Sequence, residues 1–168
     1  ILRFEYVLPQ IYVMFKDTKM ELAILEAKKA AKRDEVPVGA LIENFSGEIL
    51  ALEGNRCRQL NDPTAHAEML AIRNACNLTN QLYLGDSTIY VTLEPCEMCA
   101  AAISAARISK VIFGASSTKY GGLQIERADV RVSNLNKKIE IYGGFYEKEI
   151  VSLMEKFFAD KRVIKNGD

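Results

Sequence analysis

The order of apolar and helix-forming segments restricts this chain of 168 residues to few folds. Short runs rich in β-branched and aromatic residues predict strands, and the alanine-rich or amphipathic stretches between them predict helices. The predicted helices are 20–33, 65–76, 96–106 and 147–161, and the predicted strands are 38–42, 49–52, 88–93, 111–113 and 139–142. Strands that alternate with helices in this way indicate an α/β fold, a single sheet with helices on its faces.

The length of the chain fits one domain, because domains contain about 150 residues. Residues 1–18 lack the basic start and long apolar centre of a signal peptide. We therefore expect them to be an extension outside the core, followed by a single domain over 19–168. No apolar run reaches the roughly 18 residues of a membrane span, and four cysteines are too few for a disulfide scaffold. These features predict a cytoplasmic protein without membrane association.

Two short motifs hold the residues best suited to chemistry. His66-Ala67-Glu68 and Pro95-Cys96-Glu97-Met98-Cys99 each stand at the start of a predicted helix, directly after a turn or a strand end. Open α/β sheets keep their sites at such an edge, so we expect the two motifs to meet there. The imidazole of His66 has no substitute, because the chain has one histidine.

Three of these side chains suit a zinc ion. His66, Cys96 and Cys99 supply an imidazole and two thiolates, and three protein ligands leave a fourth position open, as in catalytic zinc sites. Zinc lowers the pKa of a bound water to about 7. Glu68 follows the histidine by two residues and is predicted to shuttle the proton of that water.

Other interpretations of the cysteines remain open at this stage. A C-x-x-C pair can be a redox centre, although redox pairs favour a thioredoxin-like context that Pro95 does not match. A structural zinc would normally have a fourth protein ligand. Cys76 lies about three helical turns from His66 and is too far away, whereas Cys57 remains a candidate.

The H-x-E and P-C-x-x-C motifs form the signature of zinc-dependent nucleobase deaminases. The chain further resembles the bacterial tRNA-specific adenosine deaminases, which convert adenosine to inosine at wobble position 34 of tRNA. The resemblance extends over about residues 20–158 and is strongest at 35–40, 54–56, 62–73 and 90–96. It implies a three-layer α/β/α cytidine-deaminase-like fold with a central five-stranded mixed sheet.

The resemblance also implies roles for individual residues. It gives one zinc per subunit, held by His66, Cys96 and Cys99. Glu68 would pass a proton from the zinc-bound water to adenine N1 and then to the departing amine. Asn55, with the backbone of Ala67, would read the edge of the base. The family's enzymes are homodimers.

An anticodon-loop partner is implied by the same resemblance, which places the segment after Phe113 and the last helix along the RNA. Its candidate RNA contacts are Lys119, Phe157 and Phe158. The net charge of the chain is zero, but residues 107–138 hold seven basic and two acidic side chains, a net +5 that suits a phosphate backbone. A solvated basic loop and ordinary core phenylalanines are the alternatives. Ser116, Ser117 and the 120–131 loop depart from the family pattern, which leaves the tRNA specificity open.

Two other functions are compatible with parts of the sequence. Small-molecule deaminases of the guanine or cytosine type have the same fold, and the guanine enzymes share residues 62–68 almost unchanged. Residues 36–39 and 92–95 favour the tRNA enzymes instead. A non-catalytic zinc module serving as a partner subunit would be expected to lack the acid, whereas Glu68 is present.

Overall fold

A computed structural model describes residues 7–117, 121 and 139–165 of the chain, and the side chains of 18–117, 121 and 139–162. The helices within these ranges are α1 Val7–Lys32, α2 Ala67–Thr79, α3 Glu97–Ala105 and α4 Glu147–Lys165. The strands are β1 Gly39–Glu43, β2 Ile49–Gly54, β3 Thr88–Leu93, β4 Lys110–Ala115 and β5 Glu140–Tyr142. No helix in these ranges is long and apolar enough to cross a bilayer.

The five strands form one mixed sheet in the order β2-β1-β3-β4-β5. β1 pairs antiparallel with both β2 and β3, and β1 and β2 form a hairpin. β3, β4 and β5 run parallel to one another. Parallel strands place their carboxyl ends at one edge, so the segments after β3 and β4 lie side by side.

Each face of the sheet is covered by helices, because alternate residues of a strand point to opposite sides. Ile42 and Val91 pack in the cluster that contains the buried alanines of α2, together with residues of α3. Leu41 and Tyr90 point the other way, into the cluster formed with α1 and α4. The two clusters make a three-layer α/β/α fold, and the predicted fold class is confirmed.

The first helix begins thirteen residues earlier than the predicted start at residue 20, and it continues through residues 7–19 without a break. Pro9 lies in the first turn of α1. The amides of a first turn have no partner within the helix, so the missing N–H of a proline costs nothing there. That residues 1–18 lie outside the core stays a prediction.

Close packing of α1 on β1 depends on Gly39. A Cβ at this position would overlap the backbone carbonyl of Ala23, which cannot move without displacing the helix. We expect Gly39→Ala to lower the free energy of unfolding by about 3 kcal/mol. Gly85→Ala is the matched control, since a Cβ there meets nothing closer than 3.9 Å. Chemical denaturation of both variants measures the difference, and equal stabilities would show that α1 does not pack as described.

Candidate metal centre and active site

The two chemical motifs occupy equivalent positions at the start of two helices. His66 is the N-cap of α2 and Cys96 the N-cap of α3, and both have extended backbones. Neither side chain makes a capping hydrogen bond. Both are therefore free to point away from their helices, and α2 and α3 bring them to the same edge of the sheet.

The three predicted zinc ligands converge. His66 Nδ1 lies 3.6 Å from Cys96 Sγ and 3.6 Å from Cys99 Sγ. Zinc bonds of about 2.3 Å to sulfur and 2.0–2.1 Å to nitrogen, arranged as a tetrahedron, separate such atoms by about 3.6 Å. The donor set and its spacing thus fit a zinc ion. Within the described ranges, no further histidine, cysteine or carboxylate joins this group.

The two other cysteines lie elsewhere. Cys57 Sγ contacts the carbonyl of Pro63 at 3.9 Å, and Cys76 Sγ contacts the carbonyl of Leu82 at 3.8 Å. Burial raises the pKa of both thiols, which favours the protonated form. The structural-zinc interpretation therefore has no fourth cysteine to support it.

Hydrogen bonding within the cluster stabilises the thiolate form of Cys96. Hydrogen bonds from Cys99 and His66 lower the pKa of Cys96 to about 4. The same contact with Cys96, together with burial, raises the pKa of Cys99, and the hydrogen bond to Cys96 raises the pKa of His66. A thiolate is the form in which cysteine binds metals.

Glu68 lies beside this cluster in an unusual state. Its side chain is buried, and its Oε2 has no hydrogen-bond partner among the described residues. Burial is the main cause that raises the pKa of this carboxyl to about 6. A buried carboxylate oxygen without a donor is costly, so such an atom is expected at a place where a reacting water or substrate completes the contact.

His66, Cys96 and Glu68 line a cavity of about 580 Å³, a size suited to a small ligand or an extruded base. Its mouth is formed by α4 and by the residues that follow β4. The lining residues on these two elements are Ser116, Ser117, Val151, Met154, Glu155 and Phe158. The two serines that depart from the family pattern therefore lie at the site itself.

The two predicted substrate-binding groups contact each other. Ala67 donates its backbone N–H to Asn55 Oδ1 at 2.8 Å. Asn55 lines the cavity, and its side-chain oxygen is occupied by this bond. The Nδ2 amide is left as the group that Asn55 offers to a ligand.

The candidate RNA contacts separate in space. Phe158 is 44% exposed and lines the cavity, whereas Phe157 lies in a second groove between α4 and α1 with Lys161 over its ring. The two rings meet edge to face at 5.4 Å. Lys119 lies outside the described residues.

Glu94 is a site residue that was noticed only as part of a family motif. Its buried carboxylate accepts the N–H of Ser117 at 2.9 Å, and a Cβ at Gly121 would overlap it. Gly121 in turn bridges to Cys96. Glu94 thus connects Ser117 and Gly121, which follow β4, to the segment that carries Cys96. In the sequence, this role is indicated only by an acidic residue at the end of a strand, directly before Pro95 and Cys96.

Comparison with known proteins agrees with this geometry. Residues 14–115 match the cytidine and deoxycytidylate deaminase zinc-binding region. The tRNA-specific adenosine deaminase of Agrobacterium fabrum is 44% identical over 144 residues, covering 86% of this chain and 94% of that protein. A solved structure from a study of tRNA:A34 deaminases is 44% identical, with a TM-score of 0.73 over 81% of this chain and 98% of its own.

Guanine deaminases share the fold at greater distance. The enzyme of Nitrosomonas europaea superposes with a TM-score of 0.73 over 85% of this chain and 84% of its own, at 19% identity. That likeness concerns the fold alone. By its matched zinc-binding region and its 44% identity over most of both sequences, the chain belongs to the tRNA-specific adenosine deaminases within the cytidine and deoxycytidylate deaminase family.

Proposed function

We propose that this chain hydrolyses adenosine to inosine at wobble position 34 of tRNA. The observation that carries the proposal is the cluster of His66, Cys96 and Cys99 beside a cavity that is also lined by Glu68. The Oε2 atom of Glu68 has no hydrogen-bond partner among the described residues. Identity of 44% to a tRNA-specific adenosine deaminase supports the choice of substrate. Incubation of the purified protein with a tRNA bearing adenosine at position 34 tests it, with guanosine at that position as the control.

One zinc ion per subunit would be held by His66 Nδ1 and the Sγ atoms of Cys96 and Cys99. When bound, zinc supplies Lewis-acid chemistry that brings the pKa of water close to neutrality. The chain's own residues must then manage the protons, because addition of water at C6 and loss of ammonia require a proton to be moved twice.

We assign this task to Glu68. Its Oε2 takes a proton from the attacking water, delivers it to N1 of the adenine ring, and serves the departing amine in the second transfer. A pKa raised to about 6 by burial suits a group that must both accept and donate near neutral pH.

The remaining groups bind and shield the base. Asn55 Nδ2 donates to an acceptor on the base edge, since its Oδ1 is committed to Ala67. Removal of the base from the stack of the anticodon loop is required for it to enter a cavity of this kind. Phe158, exposed at the mouth, offers a ring on which a neighbouring base can stack.

The partners of the reaction follow from the same proposal. The tRNA anticodon loop would approach the cavity. Residues 107–138 carry a net charge of +5 in the sequence, which suits a phosphate backbone, although 118–120 and 122–138 lie outside the described residues. We further expect a homodimer located in the cytoplasm, as in the family that the sequence resembles. Sedimentation of the purified protein tests the first of these expectations.

The exposed ring of Phe158 gives a prediction of its own. We expect Phe158→Ala to raise KM for tRNA about tenfold, because base stacking on an aromatic ring contributes about 1–3 kcal/mol. Phe157→Ala is the matched control, because Phe157 faces α1. This substitution should lower thermal stability with little change in KM. Steady-state kinetics on an anticodon stem-loop distinguish the two variants. Equal increases in KM would rule out base stacking on Phe158.

A further inference from the structure

A buried carboxylate lies behind the loop that carries Asn55. Glu35 is 2% exposed and stands in the connection between α1 and β1, outside the lining of the cavity. Its Oε1 accepts the backbone N–H of Arg58 at 2.9 Å and that of Gln59 at 2.8 Å. Charge-assisted bonds of this kind offset the cost of burying a carboxylate and give the loop a defined position.

Arg33 holds the same loop from its other end. Its Nη2 donates to the backbone carbonyl of Asn55 at 2.9 Å. Gly54 leaves room for this approach, since a Cβ there would lie 2.8 Å from Arg33 Nη2. Two residues from one short connection thus fasten residues 55–59, which are more than twenty positions further along the chain.

These contacts decide how Asn55 is presented. Its backbone N–H donates to the carbonyl of Val38, its carbonyl accepts from Arg33, and its Oδ1 accepts from Ala67. Rotation of the amide by half a turn would break the bond to Ala67, which has no other acceptor for its N–H among the described residues. The fixed loop therefore makes Asn55 a donor towards the cavity.

We infer that Glu35 and Arg33 are positioning residues that hold Asn55 so that only its Nδ2 donor faces the substrate. The site then selects a base that offers an acceptor, a ring nitrogen or a carbonyl oxygen, at that point. This inference rests on the proposed deaminase function. Neither residue lines the cavity, so both act through Asn55.

A double-mutant cycle tests the inference with an anticodon stem-loop bearing adenosine at the target position. Glu35→Ala is expected to lower kcat/KM about 10- to 100-fold, the scale on which a misplacement of about 1 Å acts. Glu35→Gln keeps an Oε1 acceptor and should recover most of the loss. In the Asn55→Ala background, Glu35→Ala should cause no further decrease in kcat/KM, because the Asn55 side chain through which Glu35 acts is absent. Arg33→Met is expected to give the same non-additivity.

The control removes a comparable carboxylate elsewhere. Glu43 accepts the hydroxyl of Tyr90 and pairs with Lys19, away from the metal-ligand cluster. Glu43→Ala should lower thermal stability and keep the wild-type kcat/KM. Independent, additive losses from Glu35→Ala and Asn55→Ala would overturn the inference, as would wild-type kcat/KM in Glu35→Ala.

A readout without substrate separates this inference from the proposed function. In Glu35→Ala, the backbone amides of Arg58, Gln59 and Ala67 are expected to exchange with solvent faster than in the wild type. Unchanged exchange at Ala67 would contradict the positioning role. Wild-type protein that forms no inosine would refute the proposed function. The exchange rates would still show whether Glu35 holds Asn55 and its loop in position.

Discussion

Glu68→Ala is expected to lower the rate of inosine formation by about 10²- to 10⁴-fold, the usual contribution of a positioned general acid and base. The metal ligands are untouched, so zinc content should stay at the wild-type level. Glu97→Ala is the matched control, because Glu97 is an exposed carboxylate in the first turn of α3 and does not line the cavity. Single-turnover assays with metal analysis measure both quantities.

The same residue carries an expectation for stability. Glu68 is buried with an unpartnered oxygen, so Glu68→Gln relieves the cost of a charged group and should unfold at the same temperature as the wild type or higher. A loss of activity without a loss of stability is typical of a site that is organised for reaction rather than for folding. Retained turnover in either variant would remove Glu68 from the proton transfers.

Cys96→Ala is expected to abolish zinc binding, and with it all measurable deamination. Two ligands from different helices hold zinc poorly, and the folding of α3 against α2 should weaken as well. We expect the zinc content to fall from one ion per subunit to near zero and the unfolding temperature to decrease. Elemental analysis and thermal denaturation measure the two effects.

Cys57→Ala and Cys76→Ala are the controls for this experiment. Both remove a thiol that lies outside the cluster, so both should keep zinc and activity. Stoichiometric zinc in Cys96→Ala, or loss of zinc in Cys57→Ala, would mean that the ligand set is wrong.

The convergence of His66, Cys96 and Cys99 could be predicted because each of the two motifs that hold them is marked by a local sequence signal. A turn or strand end followed by a helix start fixes where His66 and Cys96 lie, and the sheet edge brings both motifs together. Zinc chemistry then selects the residue types. The structure places the three ligand atoms as that argument requires.

Other features could not be predicted because they depend on contacts between distant segments. The bonds from Arg58 and Gln59 to Glu35 join residues 23 and 24 positions apart, and nothing in the local pattern marks them. The different surroundings of Phe157 and Phe158 depend on how α4 is rotated against α1, which helical periodicity alone leaves open.

We propose that this chain acts on an adenosine presented in an anticodon loop. Mass-spectrometric mapping after incubation of the zinc-loaded protein with full-length tRNA bearing adenosine at position 34 tests it most directly, beside parallel reactions with free guanine and cytidine. We predict inosine at position 34, unmodified adenosines elsewhere in the tRNA, and no conversion of the free compounds. Conversion of guanine or cytidine with an unchanged tRNA would contradict the account.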